Sequence, residues 1–165
     1  AVNDPTTCVN CIHYLGVILK ELAVKEDRSS MAAKLEAIGI KLKEPNFEQY
    51  LDDAFDQIYQ FGRRDHTIVR TLIGVLTEII SAVPDVIRAE TVVKEVSEME
   101  LDSLTNAGGE SSFALAEHRN YVRKGLIRFY TVAGERFETF GNAQGYAELR
   151  KRANQLESSI EGPKG

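Results

Sequence analysis

Cys8 and Cys11, the only two cysteines in the chain, stand in a Cys-x-x-Cys spacing, which thioredoxin-like enzymes place where a strand turns into a helix. No apolar strand precedes them here, because Ala1-Val2-Asn3-Asp4-Pro5-Thr6-Thr7 reads as a cap and a first helical turn. At i and i+3 the two thiols share a helical face with Ile12 and Leu15, so they are expected to pack as small hydrophobes rather than do redox or metal chemistry. His13 lies about 200° round the helix from Cys11. A Cys-Cys-His zinc site would also lack a fourth ligand nearby. Two cysteines make no disulfide framework and leave the redox compartment open.

Asn3 and Asp4 could meet a cation or an anion-bearing partner, but a carboxylate at a helix start has a simpler use as an N-cap on the positive end of the dipole. Asp52, Asp53 and Asp56 offer carboxylates for a metal or for acid-base work. No His or Glu stands at the Glu-x-x-His spacing of bundle metal sites, and a solvated acidic face is the expected reading. His66 reads as a first-turn surface residue, and Ser111 and Ser112 as caps with no Gly-x-Ser-x-Gly elbow. No dinucleotide or phosphate-binding glycine loop occurs. Arg119, Arg123, Lys124 and Arg128, beside Glu117 and His118 and interleaved with Tyr121, Phe129 and Tyr130, form a basic stretch that would suit an anionic lipid or an acidic partner. The upstream acids Glu90, Glu95, Glu98, Glu100 and Asp102 are expected to neutralise it within the chain. The candidates for ligand contact are therefore Asn3, Asp4, Cys8, Cys11 and His13, with no catalytic residue, cofactor or metal site expected.

The elements that would carry these residues are helices. At 165 residues and 18.4 kDa, with 43% hydrophobic and 27% charged residues, the chain has the proportions of one ordinary globular domain with a packed core. A net charge of -5 and a pI near 5.3 exclude a general phosphate-backbone binder, so no nucleic-acid partner is expected. The most apolar stretch, Ile68 to Val83, is interrupted by Arg70 and Glu78 and falls short of a membrane span.

The spacing predicts an all-α fold, an antiparallel bundle of about five to six helices. Asp4 caps a first helix to about Ala23, in which Cys8, Cys11, Ile12, Leu15, Ile18, Leu19 and Leu22 form one apolar stripe and Val9, Tyr14 and Val17 a second, so burial on two sides is expected. Met31 to Ala37 could add a short helical turn, and the alternation over residues 39–43 is the one strand signal, a strand that needs a partner elsewhere or is merely extended. Asn46 with Gln49 forms a capping box for a helix whose Phe47, Leu51, Ala54, Phe55 and Ile58 face one way, with Gly62 as a left-handed stop. Asp65 caps a helix with Ile68, Val69, Leu72, Val75, Leu76, Ile79, Ile80 and Val83 inward, and the two should form an antiparallel hairpin. Asp85 opens an acidic helix to about Leu104 with Val86, Val93, Val96 and Met99 inward. The glycine-bearing stretch 105–112 reads as a linker between a core region, 1–104, and a C-terminal hairpin or extension, 113–160. There, Phe113 to Phe140 makes a long helix with Leu115, Val122, Leu126, Phe129, Ala133, Phe137 and Phe140 inward, and a polar helix from about Tyr146 follows.

Asn3-Asp4-Pro5-Thr6-Thr7 before an apolar helix containing Tyr14-Leu15-Gly16, then Asp53-Ala54-Phe55-Asp56-Gln57-Ile58 and Phe61-Gly62, together resemble a bacterial family. The resemblance is to the C-terminal soluble part of predicted integral membrane proteins classified only as a domain of unknown function, and it covers roughly residues 1 to 100. Phe61 stands where that family more often shows Tyr, and residues after about Thr105 have no counterpart. The resemblance implies hydrophobic spanning segments upstream. Since the chain opens at Ala1 with neither Met nor a basic-then-apolar leader, that residue is expected to be a boundary within a longer, membrane-tethered protein. No activity comes with the resemblance. The expected function is a non-catalytic soluble domain working through a protein partner or as a homo-oligomer, the alternative being a small-ligand or metal sensor built on the first helix.

Overall fold

Each helix begins where the sequence supplies an acceptor for its otherwise unpaired first N–H groups, with one exception. Asp4 Oδ1 accepts from the Thr6 N–H at 3.0 Å ahead of α1 (Pro5–Val24), and Asn46 and Gln49 exchange bonds of 2.8 and 2.9 Å at the start of α2 (Phe47–Gly62). Asp65 Oδ1 accepts from Thr67 at 2.8 Å and Ile68 at 3.4 Å ahead of α3 (His66–Ala82). Asp85 accepts from the Arg88 N–H at 2.9 Å in front of α4 (Val86–Leu104). The exception is Leu115, the cap position of α5 (Ala116–Thr139), which makes no side-chain cap bond, while Asn142 caps α6 (Ala143–Ser158) through the Gly145 N–H at 2.9 Å. The computed structural model describes residues 4–25, 37–39, 45–104 and 113–160, and among them the fold is all-α with these six helices and no strand. Asn3, residues 31–36 and 40–43, and the linker at 105–112 with Ser111 and Ser112 lie outside the described residues.

α3 is the centre. Its Ile68, Val69, Leu72, Ile73, Val75, Leu76, Ile79 and Ile80 are all buried, a broad face covered mostly by α5 and α1 and otherwise by α4 and α2, while Thr67, Glu78 and Ser81 stay exposed on the opposite strip. α5 presents Val122, Leu126, Phe129, Ala133 and Phe137 to the core and forms a hairpin with α6, closed at Gly141, whose φ of +75° supplies the left-handed residue the turn needs. Leu115, expected inward, is exposed at the cap, and Tyr130, which apolar periodicity omits, is buried because its hydroxyl has a partner in Glu100. Other ties between elements are polar: Arg136 of α5 donates to the Val83 carbonyl after α3, and Arg88 of α4 to the Lys25 carbonyl after α1 at 3.3 Å.

The burial of α1 departs from expectation. Only one face, Ile12, Gly16, Leu19 and Ala23, is covered, since α3 and α2 approach from the same side. Of the second stripe Tyr14 is 74% and Val17 64% exposed and Val9 only partly covered, and Ile18, expected inward on the first stripe, is 56% exposed, with Val24 at 48% beside them. Gly62 also differs in role. Its φ is not positive, and a Cβ there would stand 2.5 Å from Ile68 Cγ2, so glycine is needed for the close seat of the end of α2 on the first turn of α3 rather than for a left-handed stop.

Candidate functional site

The end of the bundle where α1 and α3 begin and α2 finishes holds a cleft of about 360 Å³ lined by Asp4, Pro5, Cys8, Gln57, Ile58, Phe61, Gly62, Asp65 and Ile68. Its walls follow from the local sequence. Pro5 at the first helical position and Asp4 as cap fix the entry of α1, and Ile58 and Phe61 are one turn apart on α2. Gly62 allows α2 to close down on Ile68. Phe61 stands at the rim with 91% of its surface exposed.

Two carboxylates flank the cleft, and among the described residues no lysine or arginine lines it. Asp4 Oδ1 takes the Thr6 N–H and Oδ2 the Thr7 hydroxyl at 2.5 Å, and these bonds, the Thr7 hydroxyl first, hold its carboxyl below the usual carboxylate value. Asp65 accepts its two backbone bonds on Oδ1. Burial pushes the Cys8 thiol up, helped by Cys11 and Asp65, which favours the protonated sulfur over the nucleophilic thiolate.

The sequence candidates thus separate. Asp4 and Cys8 meet in the cleft. Cys11, expected in the core beside Cys8, is exposed, because a further step round α1 carries it off the single face that α3 and α2 cover. His13 is exposed on another side of α1. Among the described residues no three His, Cys, Asp or Glu side chains gather as a group able to hold a metal ion. The motif pieces Asp4-Pro5, Gln57-Ile58 and Phe61-Gly62, some fifty residues apart in sequence, line the same hollow, and Asp65 and Ile68 are lining residues that the motifs leave out.

The acidic cluster has a different character. Glu95 of α4 is half-buried opposite Asp52 and Asp56 of α2, with Glu98 on its own helix, and burial first and these carboxylates next push its pKa from 4.5 up to about 7, Lys94 opposing. Burial, with Asp56 and Glu48, raises Asp52 as well. A carboxyl whose pKa is higher in the folded chain than in the unfolded one is penalised when ionised, so the penalty is absent below pH 4.5 and complete above about 7. Glu95→Gln is therefore expected to stabilise the protein by about 1–2 kcal/mol at pH 8, after allowance for solvent screening. The gain should vanish as the pH falls to about 4.5, read by thermal melts of both proteins across that range.

Two members of the basic stretch of α5 bond close to home. Arg119 donates to the carbonyls of Phe113 and Ala114 at 2.9 and 2.8 Å, and Arg123 to Asn120 at 3.1 Å. Glu100 turns instead to Tyr130 and to Arg152 of α6, and Asp102 to Arg63 after α2 at 3.5 Å. His66 is not a bare surface residue: its ring stacks on that of His118 at 3.7 Å and 11°, with Tyr121 and Phe113 edge-on. Nothing in the spacing of these residues signals that contact.

The family described as "Predicted membrane protein (DUF2254)", whose function is not known, matches residues 1–78, a little under half of the chain. No curated protein and no solved structure matches the chain. All nine cleft residues fall inside the matched span, as do the whole of α1 and α2 and most of α3. α1 is also the one helix among the described residues long and apolar enough to cross a membrane by length and composition, whereas from the sequence Ile68–Val83 reads as the most apolar stretch and no span at all is expected.

Proposed function

We propose that this chain is a non-catalytic, soluble helical domain of a membrane-tethered protein, and that it works by self-association through the outward face of α1. The observation that carries the reading is that face: Tyr14, Val17, Ile18 and Val24 stand exposed together along a helix whose opposite side is packed on α3 and α2. Large side chains left in water along one stripe mark a surface that is covered in use. The similarity of residues 1–78 to a predicted membrane protein family supports the tethering.

The test is light scattering with crosslinking on the purified chain. Wild type is expected to show a mass that rises with concentration, and Ile18→Asp, at a position 56% exposed where the fold loses little, to remain monomeric. A strictly monomeric wild type at about 0.5 mM, where even a dissociation constant near 0.1 mM gives mostly dimer, overturns the reading.

The cleft favours a second reading, a small-ligand sensor that uses the first helix, because it brings Asp4 and Cys8 together beside an exposed aromatic ring. The metal form of that reading predicts stoichiometric metal in elemental analysis and fast-reacting thiols, which a protonated Cys8 does not favour.

A further inference from the structure

The geometry points to a small organic cation, an ammonium group on a short apolar stem, as the ligand of the cleft between Asp4, Phe61 and Asp65. A hollow of about 360 Å³ lies in the range of small-molecule sites rather than of protein interfaces. Its floor and walls are hydrocarbon, Pro5, Ile58 and Ile68, which suits an alkyl stem. Among the described residues its charged groups are two carboxylates and no base, and the half-charges of the two helix starts offset only part of the two negative charges. Asp65 Oδ2 lies outside the cap bonds, which both use Oδ1, and so can accept from an ammonium. The face of Phe61, standing in water at the rim, supplies the electron-rich surface that attracts a cation. An anion would meet both carboxylates, and a neutral alkyl group would gain nothing from their charge.

This inference deepens the second reading and is independent of self-association: a monomer that binds the cation leaves it standing, and a dimer that does not bind it overturns this inference alone. The experiment titrates the whole chain with n-butylammonium, n-butanol and pentanoate while amide and methyl NMR shifts are followed. Butylammonium is expected to saturate shifts at Thr6 to Cys8, Ile58, Gly62 to Asp65 and Ile68 with a dissociation constant on the order of 1 mM, butanol to bind about tenfold more weakly, and pentanoate not at all. Asp4→Asn with Asp65→Asn keeps both helix caps, since asparagine caps as well as aspartate, and should weaken butylammonium about tenfold while leaving butanol unchanged. Phe61→Leu, at a position almost wholly in water, should weaken it about threefold. Equal affinity for butanol and butylammonium, shifts centred elsewhere, or a double variant that binds as wild type would each overturn the assignment.

Discussion

Gly16→Val is expected to destabilise the protein by about 3 kcal/mol, the upper end of what overpacking a well-filled core costs. A Cβ at Gly16 would fall on the methyl groups of Val75, the contact across which α1 and α3 approach each other. Val75 is β-branched and held to one rotamer in a helix, so it has no room to withdraw, and α1 must move away as a body. The clash outweighs the roughly 0.5 kcal/mol that valine gains over glycine in helix propensity. Urea denaturation reads the loss as a lower midpoint with an unchanged slope. Gly16→Ala sharpens the test: in free space alanine would stabilise a helix by about 1 kcal/mol, so a gain in stability would show that the two helices stand further apart than described. Because α1 carries Asp4, Pro5 and Cys8, the same displacement should open the cleft and abolish butylammonium binding.

Arg152→Met is expected to cost about 3 kcal/mol, for an electrostatic reason. The Glu100 side chain retains 5% of its exposure, and its carboxylate is held by the Arg152 guanidinium and by the Tyr130 hydroxyl at 2.6 Å, which also lies 3.3 Å from the Ser97 hydroxyl. Removing the guanidinium leaves a buried carboxylate with one neutral donor, whereas Arg152, about half exposed, would return to water at little cost if Glu100 were the residue removed. The pair is thus asymmetric. Glu100→Gln should cost less than Arg152→Met, and Arg152→Met added to Glu100→Gln should cost well under the sum of the two, a coupling that a double-mutant cycle measures directly. Additive losses would mean that the ion pair is ornamental and that the introduced methionine disturbs α6 by its packing alone.

What is legible in the sequence follows from the range of the physics involved. Helix starts are legible because a cap is local: Asp4, Asn46 with Gln49, and Asp65 each act within three residues of themselves. The inward face of α3 is legible because neighbours cover the whole of its apolar side, so Ile73, which the spacing omits, is the one apolar addition. For α1 the spacing promises a second covered side that the fold does not supply, because periodicity reports which positions are apolar and not how many neighbours arrive to cover them. The cleft is half legible. Asp4-Pro5 and Gln57-Ile58-Phe61-Gly62 stand out as motifs, but their meeting, and the addition of Asp65 and Ile68, depends on the angle at which α2 closes on α3, which Gly62 sets by the absence of a side chain. Tyr130 with Glu100 and Arg152, and His66 with His118, are pairs separated by tens of residues whose partners no local pattern names.

The position of α3 bears on how such a chain could be inherited. That helix is shared between residues 1–78, which look like a family, and the later helices, which do not, and its apolar face is divided between neighbours from both lengths. A gene fragment carrying the front without α5 would display a bare oily strip where Val122, Leu126 and Phe129 should sit, and one carrying α5 and α6 alone would be a hairpin with nothing to lie upon. Parting the two lengths is therefore expected to bare apolar surface on both pieces.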